Sequence, residues 1–148
     1  VRLSNLTGPG QSRIFSIANF ASQIAKLERR RGPVNIRVGN LQAGRDYLDV
    51  RDGVRAFFNV MKYGKAGDVY NIASGKTRKL NHVLSRLIQI SDLNPRAVKI
   101  RKKEFLIAKN EIRDIRLNPS KARRELAWRP AFSINETLDD MLTEWRLR

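Results

Sequence analysis

The 148-residue chain contains no cysteine and one histidine, His82. Disulfides and thiolate metal sites are therefore excluded, and a site built on several histidines is excluded with them. No apolar run approaches the ~20 residues that a membrane-spanning helix needs. The first residues, Val1-Arg2-Leu3-Ser4-Asn5, lack the basic patch and apolar stretch of a secretory signal. A cytoplasmic protein with no membrane partner is the simplest expectation. The chain starts at valine rather than methionine, inside a strand-like run, and reads as a fragment or a processed piece.

Catalytic motifs are scarce as well. A dinucleotide-binding domain needs a glycine-rich turn between its first strand and helix. Gly8-Pro9-Gly10 follows a strand-like run, but the third glycine is not at the required distance. There is no Walker A lysine and no serine in a nucleophile elbow. Tyr47, Tyr63 and Tyr70 are followed four residues later by Arg51, Gly67 and Ser74, never by lysine. No complete catalytic set can be assembled, so the expectation is no catalytic residue, no cofactor site and no metal site within this chain.

Acidic residues are also few. Fourteen Asp and Glu face thirty Lys and Arg, a net charge of +16. Such a field attracts nucleic acid and nucleotide phosphates, or is a solvated basic surface. The basic residues are spread along the chain, with small clusters at Arg29-Arg30-Arg31 and Arg101-Lys102-Lys103. Aromatic residues are not interleaved with them in a stripe, which weakens a single-strand nucleic-acid reading. A basic nucleic-acid-binding module, or an inert truncated remnant, is the alternative function.

What is present is an ordinary globular composition, 41% hydrophobic, in a length that suits one domain with a core. Residues 1–4 read as a strand and 5–11 as a loop. Ile14, Ile17, Ala21 and Ile24 recur at helical spacing, which predicts a helix over 12–30, stopped by Gly32-Pro33. Val34–Val38 is β-branched and alternating, hence a strand, and 45–50 is a second extended piece. Val54, Phe57, Phe58 and Met61 define one face of a helix ending at Gly64. Residues 68–73 read as a strand, and Val83, Leu84, Leu87 and Ile88 mark a helix ending by Asp92. Residues 97–101 and 112–117 read as further strands. Asn118-Pro119 starts a short helix, and Ser133-Ile134-Asn135-Glu136 is a capping box for the last one. The class is mixed α/β.

The stretch Gly39–Asp52, GNLQAGRDYLDVRD, carries the most functional information. Glycines let a backbone turn tightly or approach a ligand. Arg45 offers a planar fork of donors that suits a phosphate, or it pairs with Asp46 or Asp49. Arg51 and Asp52 read as a structural pair at a helix start. Trp128 and Trp145 read as packing residues, and His82 as exposed and idle.

Several segments occur in the order found in a known family. They are Arg2-Leu3-Ser4-Asn5-Leu6-Thr7-Gly8-Pro9-Gly10-Gln11, Val38-Gly39-Asn40-Leu41 and Arg45-Asp46-Tyr47-Leu48-Asp49-Val50-Arg51-Asp52. Val69-Tyr70-Asn71-Ile72-Ala73-Ser74-Gly75 and Ser120-Lys121 through Trp128-Arg129-Pro130 follow. The chain resembles the C-terminal, substrate-binding portion of extended short-chain dehydrogenases/reductases of the NAD-dependent epimerase/dehydratase family. It is most similar to GDP-4-keto-6-deoxy-mannose reductases and GDP-mannose 4,6-dehydratases. The resemblance implies a Rossmann-type α/β fold: residual Rossmann strand and helix over 1–33, a substrate-binding region over 34–148, and no N-terminal cofactor domain. It implies NADP or NAD, with the catalytic tyrosine and lysine, in the full-length family but not here. It implies a nucleotide-diphosphate sugar as ligand and a chain that is inactive alone. An uncovered surface left by the cofactor domain would favour self-association.

The resemblance also assigns residues. Asn5 matches an asparagine on the diphosphate or sugar side, with a turn asparagine as the alternative. Val38, Asn40 and Leu41 match a segment along base and ribose, or are an ordinary loop. Arg45 matches the phosphate-binding arginine. The family's second phosphate-binding arginine falls at Ala108 here, and neighbouring Lys109 can supply a point charge but no bidentate fork. Asn118 stands where many members have aspartate.

Overall fold

The computed structural model describes residues 1–103 and 112–148. Seven strands run in chain order: β1 (Arg2–Leu3), β2 (Asn5–Thr7), β3 (Val34–Val38), β4 (Gly44–Asp49), β5 (Asn71–Ile72), β6 (Thr77–Lys79) and β7 (Val98–Lys102). Five α-helices are interleaved with them: α1 (Ser16–Glu28), α2 (Val50–Tyr63), α3 (Leu80–Gln89), α4 (Ser120–Glu125) and α5 (Ile134–Leu147). β1 pairs in parallel with β5, and β3 with β7. β4 lies between β2, parallel to it, and β6, antiparallel to it.

β4 is the wall between two cores, because successive side chains on a strand point to opposite faces. Tyr47 joins the larger cluster, built by α1, α3, α5 and β3 around Ile24, Ile36, Leu87 and Met141. Leu48 joins the smaller one, with Ala56, Tyr70, Ile72, Leu126 and Trp128. Trp128 is fully buried and donates its indole N–H to the Asp52 carbonyl at 3.1 Å. Trp145 packs at the edge of the larger cluster, and His82 is exposed. None of the helices among the described residues is long and apolar enough to cross a membrane.

Four sequence expectations are revised. The first helix starts at Ser16, not 12. Phe15 takes an extended backbone before it, and Ile14 is exposed rather than core. Asn5–Thr7, expected as loop, is a strand, because pairing with Tyr47–Asp49 overrides its turn-rich composition. Only Asn71–Ile72 of the strand expected at 68–73 is paired, since β1 offers it two partners. The strand expected at 112–117 is reduced to one bridge, Gly44 with Asp114. β2 occupies that edge of β4 over Tyr47–Asp49, which confines a further partner to the Gly44–Asp46 end.

The face of α2 read as apolar is helical as expected but not covered. Val54, Phe57, Phe58 and Met61 are 51%, 44%, 69% and 86% exposed, while Asp52, Gly53 and Ala56 face inward. The helix therefore carries an apolar row that the described residues leave exposed.

Candidate functional site

β4 and its flanks position the expected residues. The parallel register of β2 on β4 sets Asn5 opposite Tyr47. This brings Asn5 and Arg45, forty residues apart in sequence, to one cleft of about 420 Å³. Thr7, Gln11, Phe15 and Ser16 also line it, with Tyr47 and Leu80. Phe15 is half exposed there. Val38 and Asn40 line an adjoining recess together with Gly39 and Asn19, and Ser16 and Leu80 line both. Leu41 lines neither: it packs against the larger core, and its carbonyl accepts from the Asn81 N–H at 3.0 Å. Lys109 lies outside the described residues.

Arg45 is half-buried, and part of its guanidinium is already engaged. Nη1 donates to the carbonyls of Gly44 and Ile112, both at 2.8 Å, and to that of Arg113 at 3.4 Å. The neighbouring aspartates are taken by other partners. Asp46 points to the opposite face, where its carboxylate accepts from Ser74 N–H and O–H and from Gly75 N–H at 3.0, 2.6 and 2.9 Å. Asp49 accepts from the Arg51 backbone N–H and guanidinium and from the Thr137 hydroxyl at 2.7 Å. Asn40 caps its own turn, its side-chain oxygen accepting from Gln42 N–H at 2.9 Å. A cleft with amide, hydroxyl and guanidinium groups beside an exposed aromatic can receive a phosphate-bearing ligand through charged hydrogen bonds.

Gly44 has a role different from the one read in sequence. A Cβ there would meet Asp114 Oδ1 at 2.1 Å and Thr77 Cγ2 at 2.7 Å, so the close approach is to the chain itself. The Gly8–Gly10 loop does not fit a dinucleotide pyrophosphate either. A Cβ on Gly8 would meet Val50 Cγ1 at 2.8 Å, and the Gly10 N–H donates to the Glu144 carboxylate at 2.7 Å. A carboxylate holds the amide that a phosphate would need. Among the described residues, no group of three or more His, Cys, Asp or Glu could hold a metal.

Arg51 and Asp52, expected as a structural pair, are structural but not paired with each other. Arg51 bridges Asp49 and Asp140, both at 2.8 Å, and stacks on Phe132 at 3.7 Å from the ring centroid. Asp52 is buried and accepts from the Ala131 and Phe132 N–H groups.

The sequence profile of the family described as GDP-mannose 4,6 dehydratase matches residues 1–141. The chain belongs to that family. It is 30% identical over 144 residues to the GDP-6-deoxy-D-mannose reductase of Pseudomonas aeruginosa, covering 97% of this chain and 46% of the relative. The structure of RMD from Pseudomonas aeruginosa, complexed with NADPH, superposes with a TM-score of 0.90. It is 30% identical and covers 99% of this chain and 48% of that one. The UDP-glucose 4-epimerase of Thermotoga maritima, with UDP-glucose, gives 0.80 at 27% identity, over 99% and 45%. The chain thus spans about half the length of the relatives it matches. The family resemblance and the α/β fold of extended short-chain dehydrogenases/reductases read from the sequence both hold.

Proposed function

We propose that this chain binds the diphosphate of a nucleotide sugar, a GDP sugar in the first instance. It would act as part of a GDP-4-keto-6-deoxy-mannose reductase or GDP-mannose 4,6-dehydratase. The supporting observation is that Asn5 and Arg45, distant in sequence, line one cleft. The name of the Pseudomonas relative, a reductase of a GDP-linked deoxymannose, supports the choice of nucleotide.

In this reading Arg45 supplies positive charge and whatever donors its carbonyl contacts leave available. Asn5 supplies both a donor and an acceptor from the parallel strand beside it. Val38 and Asn40 would meet the ribose and base side, and Lys109 would add a point charge. The family chemistry uses a nicotinamide cofactor for hydride transfer. The Gly8–Gly10 loop does not fit one, so the chain is proposed to neither bind a dinucleotide nor turn over alone.

Calorimetric titration tests both parts. GDP-mannose should bind saturably but weakly, and Arg45→Ala should cost about 1.5–3 kcal/mol, as for a lost hydrogen bond to a charged group. Equal affinity in the variant would remove Arg45 from the site. Saturable micromolar binding of NADPH would contradict the assignment of the cofactor elsewhere.

A further inference from the structure

On the other side of Tyr47 lies a second cleft, of about 470 Å³, that the reading above does not use. Tyr47 lines both clefts. Four cationic side chains line this second one: Lys76 just before β6 and Arg78 on it, Arg123 on α4 and Arg129 after α4. We propose that this cleft is a separate phosphate-binding site centred on Arg78, taking a diphosphate or phosphate ester.

Arg78 sits directly opposite Arg45 across the antiparallel β4–β6 pair, so both side chains leave the same face of the sheet. Like charges placed opposite one another on a sheet are destabilising. Arg78 is moreover half-buried, and among the described residues its side chain has no carboxylate and no hydrogen-bond partner. A partly desolvated guanidinium whose five donors meet no receiver among the described residues is stabilised by an incoming anion.

The structural cations of this protein behave differently. Arg51, Arg55, Lys121 and Arg146 each hold a carboxylate at 2.7–3.3 Å. In the second cleft, Arg123 donates to the Ser74 carbonyl at 2.9 Å, which leaves its charge unmatched. The carboxylate lining it is Asp49, already claimed by Arg51 and Thr137. Phe132 and Pro130 form an apolar side, with Phe132 itself under the Arg51 guanidinium. Converging guanidinium groups beside a neutralised acid select a compact, multiply charged anion.

The two clefts meet at Tyr47 and are separated by titration. Inorganic pyrophosphate and GDP are each titrated into the intact chain at matched ionic strength, for wild type, Arg78→Gln, Arg129→Gln and Arg45→Ala. The expected result is saturable pyrophosphate binding, weakened at least roughly tenfold by Arg78→Gln and severalfold by Arg129→Gln, and altered less than about twofold by Arg45→Ala. GDP binding lost with Arg78 more steeply than pyrophosphate binding would assign the site to a nucleotide's diphosphate. Equal losses would assign it to free phosphate compounds. Arg129 is exposed on a loop, so its variant reports even where Arg78→Gln compromises folding. No saturable binding overturns the proposal, as does binding lost only with Arg45→Ala. Equal weakening by all three variants also overturns it, because that is the signature of a diffuse field.

Discussion

Three buried aspartates in the β4–α2 corner, Asp46, Asp49 and Asp52, each fasten a remote segment. Asp46 holds the 74–75 turn, Asp49 the start of α2 and the α5 hydroxyl of Thr137, and Asp52 the 131–132 backbone. Asp49→Asn keeps the shape but loses charge, and is expected to lower stability by about 1–3 kcal/mol in urea denaturation. Burial alone would raise the Asp49 pKa, yet hydrogen bonds from Arg51 and Thr137 outweigh it and hold the carboxyl below its ordinary range. Glu28 is shifted the same way, first by its hydrogen bond from Arg146. Both folded pKa values are depressed, so the unfolded chain takes up protons first as pH falls. Their contribution is complete above the unfolded values, about pH 4, and disappears as pH drops through the folded ones. Urea midpoints should therefore hold from neutrality to about pH 5 and decline below 4. A midpoint that rises on acidification would be incompatible with these assignments.

Among elements, those with local chemical signals were readable in sequence. Ser133-x-x-Glu136 forms both bonds of its box, Ser133 Oγ accepting from Glu136 N–H at 3.2 Å and the Glu136 carboxylate from Ser133 N–H at 2.7 Å. Ser133→Ala should therefore cost roughly 1 kcal/mol, measurable by thermal unfolding. Elements decided by distant partners were not readable. Nothing in Asn5-Leu6-Thr7 announces a strand until β4 is beside it, and nothing in 112–117 says that β2 takes half of the edge it would join. The apolar period of α2 was legible, but periodicity does not tell whether a partner covers the row. The family motifs pointed to Asn5 and Arg45, and β2–β4 pairing brings the two to one cleft. The second cleft was missed because Lys76, Arg78, Arg123 and Arg129 converge only after folding. Gly44 is explained by packing. Gly44→Ala should lower the melting temperature by several degrees, since Asp114 and Thr77 must move.

For the whole molecule, two features extend beyond the cleft. The exposed row Val54, Phe57, Phe58 and Met61 should make the isolated chain pair with a second copy at high concentration. Sedimentation velocity should show this, and Phe58→Glu with Met61→Glu should suppress it; a monodisperse monomer in the unmodified chain would argue the row is inert. The charge of +16 raises encounter rates with any phosphate compound. It does not choose among them, so nucleic acid should bind only with a steep loss on adding salt. The most direct test of the central claim is amide chemical-shift mapping during titration with GDP-mannose at moderate salt. Shifts should concentrate on Asn5, Thr7, Gly44 and Arg45. Shifts confined to the basic strands β3 and β7, or spread evenly over the surface, would contradict a diphosphate site on β4.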